Sequence, residues 1–177
     1  LRSSKAQAAA KTSLIKKDLF KLDPNKEYTF KDVGQGWLGT EYVVGFSEND
    51  GMLSVSLGES SGNENRGITY NFDEPVNLSI TPVINATFSV SERVGKDTVT
   101  AKILVYSGMD RYERYVSVKT GEMVTISANF SNWEKIDKVE RIKLWFIDDN
   151  GEQLGAYSVT VKEITAHSAI STGALIG

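Results

Sequence analysis

Cysteine is absent from the 177 residues, histidine occurs once and proline three times. Without cysteine there is no disulfide, no thiolate metal site and no cysteine nucleophile, although the compartment stays open because exported bacterial modules also avoid this residue. The single histidine, His167, sits in a small, polar stretch. A zinc site built there lacks its other ligands, and a Ser–His–acid triad lacks a rigid scaffold. No apolar run approaches the about 18 residues of a membrane span, and no signal-peptide pattern is expected. Twenty Lys and Arg are interspersed with 23 Asp and Glu for a net charge of −3. No basic stripe is left to neutralise phosphates, which argues against a nucleic-acid partner.

What is present is mostly strand. At 40% hydrophobic the chain can bury one core, so a single domain with short extensions is expected. From Tyr28 onward the apolar residues alternate with period two, in "EYVVGF", "MLSVSLG", "GITYNF", "NATFSVS", "TVTAKILVYS", "YERYVSVK", "MVTISANF", "RIKLWFID" and "AYSVTVKEI". Turn signals separate them, among them Glu48-Asn-Asp-Gly51, Val94-Gly-Lys-Asp97, Lys119-Thr-Gly121 and Asp149-Asn-Gly151. This spacing predicts an all-β antiparallel sandwich or jelly roll over residues 25–165, interrupted by a helical turn or short crossover at "SNWEKIDKVE". Residues 1–24 read as an N-terminal extension or linker, with Ile15, Leu19 and Leu22 at helical spacing, and residues 166–177 as a C-terminal tail.

Two motifs are set aside on context. "GQGWLG", Gly34 to Gly39, is a literal G-x-G-x-x-G, but strand formers rather than a helix follow it, so the phosphate cradle has no helix end. In "EKIDKVE", Glu134, Asp137 and Glu140 share one side of a helical turn and no face of a strand. They read as a solvated turn rather than a pair of hydrolytic carboxylates. No enzyme is expected.

Outward aromatics are the remaining chemistry. Ile142, Leu144 and Phe146 form one face of their strand, leaving Lys143 and Trp145 on the other. By the same parity Lys102 and Tyr106 lie opposite Val99, Ala101, Ile103 and Val105, while Glu113, Tyr115 and Ser117 lie opposite Val116 and Val118. Trp145, Tyr106 and Tyr115 thus offer flat faces from three strands, as sugar rings require, unless they merely cover the second sheet face or meet a docked terminal segment. The stretch "SGMDRYERY" is expected to be a loop in which Asp110, Arg111 and Tyr112 supply acceptor, fork and face together, or else an ordinary solvated hairpin.

"FKDVGQGW" followed by "SENDGMLSVSL", then "NFDEPVNLS" and "NFSNWEKIDKVERIKLWFID", resemble in order the landmarks of the galactose-binding-like jelly rolls among carbohydrate-binding modules of secreted bacterial glycoside hydrolases. The resemblance covers about residues 28–164 and implies a non-catalytic module that binds a polysaccharide chain, secreted or at the cell surface. It makes Trp37 and Trp133 structural landmarks at strand–loop junctions, better read as barrel-end plugs, with Trp37 also a candidate ligand contact. It further implies a structural Ca²⁺ between the first and last strands, for which Asp32 and Glu163 are the candidate ligands. The chain departs from the pattern in carrying Lys31 directly after Phe30 and a single acid in Val161-Lys-Glu-Ile164. Those two carboxylates supply only part of the six to eight oxygens calcium takes.

The alternative is a structural subunit. Leu14, Ile15, Leu19 and Phe20 are apolar enough to add a strand to a neighbouring copy, which would make the protein part of a self-assembling surface layer or filament.

Overall fold

The computed structural model describes residues 16–20, 43–49, 52–57, 66–93, 96–150 and 155–169. Among them are ten strands and no helix: β1 (Lys16–Phe20), β2 (Val43–Asn49), β3 (Met52–Leu57), β4 (Arg66–Val76), β5 (Val83–Val90), β6 (Thr98–Ser107), β7 (Asp110–Lys119), β8 (Met123–Asn129), β9 (Val139–Ile147) and β10 (Tyr157–His167). They form two antiparallel sheets. A six-stranded sheet runs β2-β3-β10-β5-β8 with β1 also paired to β10, and a four-stranded sheet runs β4-β9-β6-β7. Neighbours distant in sequence sit side by side, as in the jelly roll read from the alternation.

The core lies between the sheets, where one parity of each strand meets the other. Ile84, Ala86, Phe88 and Val90 of β5 alternate with half-exposed residues. They face Val99, Ala101, Ile103 and Val105 of β6 and Ile142, Leu144 and Phe146 of β9 across the sandwich. Phe88 and Phe146 meet edge to face at 5.3 Å, and Phe146 meets Tyr157 in the same way at 6.2 Å. The β8–β9 crossover closes one end. It is a run of turns (Trp133 N to Phe130 O, Ile136 N to Trp133 O, Lys138 N to Lys135 O) and not a helix. It buries Phe130, Trp133 and Ile136 beside Leu78 and Val139. Trp133 is thus a plug, packed 6.4 Å from the Tyr112 ring.

The N-terminal segment corrects one expectation. Lys16–Phe20 falls in the stretch read as an extension with helical spacing, yet it is strand β1, paired antiparallel with Ile164–His167 of the same chain, and Leu19 is buried in the core. Three apolar residues at apparent helical spacing carry little weight against an open edge of β10 that offers backbone partners and a core position for one leucine. The same pairing runs β10 to His167, beyond the domain end expected at 165. It also engages residues 16–20 within their own sandwich, so the donor-strand alternative loses that segment.

Candidate functional site

The four-stranded sheet turns its other face outward, and the register of its strands sets which side chains share it. Reading across β7, β6, β9 and β4, the rows are Arg111–Tyr106–Arg141–Asn71, Glu113–Leu104–Lys143–Thr69 and Tyr115–Lys102–Trp145–Gly67. Three aromatics and four cations therefore come from three adjacent strands. Tyr106, Tyr115, Lys143 and Trp145 lie on the outer face, as their parity predicts. Arg141, not among the residues expected from the sequence, has the parity of Lys143 and Trp145 and joins them on this face.

The turn between β6 and β7 fixes one end of this face. Ser107 pairs with Asp110, leaving a two-residue connection in which Gly108 has φ 59°. Such primed turns follow the twist of a hairpin and favour glycine at this position. Glu140 accepts the Gly108 amide proton, and Arg141 Nη2 donates to the Gly108 carbonyl at 3.1 Å. The turn is thereby tied to β9.

Because β7 starts at Asp110, the expected loop constellation of Asp110, Arg111 and Tyr112 does not form. Alternation along the strand leaves Arg111 on the outer face and sends Tyr112 to the other side, against Phe130 at 6.0 Å. The Tyr112 hydroxyl accepts from Arg114 at 2.8 Å, with the Arg114 guanidinium 4.6 Å from the ring centroid. Asp110 is ion-paired with Lys135.

Three cations gather on one tyrosine. The Arg141 guanidinium lies 5.0 Å from the Tyr106 ring centroid and the Lys143 ammonium 4.4 Å from it. Arg111, the cross-strand partner of Tyr106, is held above its ordinary value chiefly by its hydrogen bond to the Tyr106 side chain. Lys143 is also 5.0 Å from the Trp145 ring, so its ammonium lies between two π faces. Burial, with Arg141 and Arg111 nearby, pushes the Lys143 ammonium down to about 8.

Burial separates the three aromatics. Tyr115 is 67% exposed, with Lys102 5.7 Å from its ring, whereas Tyr106 and Trp145 retain 8% and 2%. Trp145 is on the outer face as the parity requires, but it is not an open platform. It forms a small buried cluster with Leu104 and Tyr106. Gly67 lies directly opposite, and a Cβ there would collide with the Leu144 carbonyl, so β4 approaches β9 closely at this point. The Trp145 indole Nε1 and the Thr69 hydroxyl are buried without a hydrogen-bond partner among the described residues.

At the far end of the face, the Asp149 carboxylate accepts from Thr98, from Thr100 at 2.7 Å and from Ser117 at 3.0 Å. Burial raises its pKa, but these three bonds and Lys96 outweigh that and leave it lowered.

Trp37 and Asp32 lie outside the described residues. Glu163, half-buried, follows the register shift that separates it from Val161 in the β10–β5 pairing. Among the described residues no group of three or more His, Asp or Glu side chains is placed to hold a metal ion.

No family model matches the chain, and no curated protein matches it. Solved structures do resemble it. A variant of CBM29-2, a family 29 carbohydrate-binding module, is 14% identical with a TM-score of 0.51, over 88% of this chain and 85% of that one. The agarase AgWH50C is 10% identical with a TM-score of 0.58, and an exo-β-agarase 10% identical with a TM-score of 0.57. The chain spans 25% of the length of each agarase. At these identities the likeness is one of fold, and it agrees with the jelly roll described above.

Proposed function

We propose that the protein is a non-catalytic carbohydrate-binding module that takes a polysaccharide chain across the outer face of the four-stranded sheet. The observation that carries this is the register that gathers Tyr106, Trp145 and Tyr115 with Arg111, Arg141, Lys143 and Lys102 on one face. A pyranose presents an apolar face to an aromatic ring, and its hydroxyls suit guanidinium and ammonium donors. Exposed Tyr115 and Arg111 are the contacts at the surface, half-buried Arg141 and Lys102 lie beside them, and the Tyr106–Lys143–Trp145 stack underneath holds those groups in place. Asp110 and Tyr112, engaged with Lys135, Phe130 and Trp133, support the adjacent sheet end. Trp37 remains a proposed ligand contact.

The fold shared with a carbohydrate-binding module and with parts of much longer agarases supports a secreted or cell-surface role beside glycan-degrading enzymes. A structural Ca²⁺ on Asp32 and Glu163 belongs to the same proposal, and a fall in Tm on adding EDTA is its test. Affinity electrophoresis against mannan, galactan, xylan and β-glucan tests the binding itself. Retardation by at least one of a set that also includes acidic polysaccharides is expected, and its loss in Tyr115→Ala places the site. No retardation by any of them overturns the reading.

A further inference from the structure

The outer face of the four-stranded sheet has a charge imbalance that neutral sugar binding does not use. Of the residues in its three central rows, Lys102, Arg111, Arg141 and Lys143 are cationic and Glu113 alone is anionic. The ion pairs among the described residues lie elsewhere, between Asp148 and both Arg93 and Lys96, and between Asp110 and Lys135. Glu113 lies across the strand from Leu104 and enters only as a weak charge near Arg111.

Lys143 makes the imbalance more than a surface matter. It is 7% exposed, and among the described residues no carboxylate lies within ion-pair distance of its ammonium. Among the described residues, its charge is answered only by the rings of Tyr106 and Trp145. The charged groups that act on it most are two further cations, Arg141 and Arg111. A buried cation is costly unless it is paired, and two π faces only partly replace a counter-ion. Beside it, the Trp145 indole N–H and the Thr69 hydroxyl are buried donors with no hydrogen-bond partner among the described residues. Unsatisfied donors and an unpaired cation on the same face ask for an acceptor that carries negative charge.

We propose that the ligand of this face is an acidic polysaccharide, whose carboxylate or sulfate groups lie against the Arg111–Tyr106–Arg141 row, above Lys143. This inference rests on the glycan-binding reading and narrows it. Arg111 and Arg141 present planar forks suited to carboxylate or sulfate oxygens, and each is oriented by Tyr106. Tyr115, one row away from Leu104 and two from Tyr106, supplies the flat surface for a neighbouring sugar ring.

The test is affinity electrophoresis of the full chain against matched pairs of glycans. Polygalacturonate against its fully methyl-esterified form isolates a carboxylate, and a sulfated galactan against its desulfated form isolates a sulfate. Inorganic polyphosphate serves as a polyanion without sugar. At least tenfold tighter retention of the acidic member of one pair is expected, weakening as salt is raised from low to about 0.5 M. Retention should fall at least tenfold in Arg111→Gln/Arg141→Gln, recover partly in Arg111→Lys/Arg141→Lys, and stay unchanged in Lys162→Gln on the opposite sheet. Circular dichroism checks that each variant is folded. Equal, salt-insensitive retention by acidic and neutral members overturns this inference and leaves the module reading standing. Binding of polyphosphate as tight as that of the acidic glycan also overturns it, reducing the face to a general polyanion site. Retention by no glycan of either charge removes both readings.

Discussion

On the outer side of the six-stranded sheet, hydroxyls pair with hydroxyls: Ser54 with Thr160 at 3.0 Å, Ser56 with Ser158 at 3.2 Å, and Thr87 with Thr125 at 2.8 Å. The outer side of the four-stranded sheet instead stacks cations on aromatic rings around Tyr106 and Trp145. The inner faces are alike, both lined by branched aliphatics and phenylalanine. The difference shows that the alternation which builds the sandwich leaves its outer parity free. One sheet uses that parity mainly for self-satisfied polar pairs, with Asn85 Oδ1 the one buried acceptor left without a partner among its described residues. The other holds a buried charge and two buried donors that its own described residues do not satisfy. Self-satisfaction makes a surface inert, whereas unspent donors are what a ligand can use.

Removing the largest buried group of the second face gives the largest effect. Trp145→Ala is expected to destabilise the protein by about 3–5 kcal/mol in urea unfolding, as for a core aromatic, although the residue faces away from the main core. A loss under about 1 kcal/mol would show that the outer cluster is only loosely packed.

Lys143 gives the next effect, through pH. Its folded pKa is lowered to about 8 from 10.5, so between these values the unfolded chain binds more protons than the native one. Stability therefore rises with pH across that window, and the penalty of burying the charge is fully present below pH 8. The change is on the order of 1–3 kcal/mol. The charged groups facing Lys143 on this face are Arg141, Arg111, Lys102 and Glu113. Lys143→Met should flatten the rise in Tm between pH 8 and 10 and be no less stable than the parent at pH 7.

Tyr115→Ala separates stability from binding. The side chain is exposed, so urea stability should change by no more than about 0.5 kcal/mol. Glycan retention should fall about tenfold, the equivalent of about 1.4 kcal/mol. Equal losses in both would place Tyr115 in the structural class of Trp145.

The smallest effect belongs to the first face. Thr87→Ala breaks one hydroxyl pair and is expected to cost about 0.5–1 kcal/mol, with glycan retention unchanged. Lost retention would move the binding site to the six-stranded sheet.

Much of this was open to a reader of the chain alone. Alternation in "TVTAKILVYS" and "RIKLWFID" fixes which residues are core and puts Tyr106, Lys143 and Trp145 on the other side, because side-chain direction in a strand follows from period two alone. The all-β class follows from the same pattern, and the place of Trp133 from its landmark motif. Three things were decided only by tertiary structure. Leu19 lies in a strand because β10 has an edge to fill, a long-range contact that outweighs a local helical spacing of three apolar residues. Arg111 parts from Asp110 and Tyr112 because the hairpin closes in two residues, so a stretch that reads as a loop is strand from its first acid onward. Parity says that Trp145 points outward, yet it cannot say whether outward is wet. That depends on what packs around the residue. The fold buries Trp145 and Lys143 together and leaves Tyr115 in solvent.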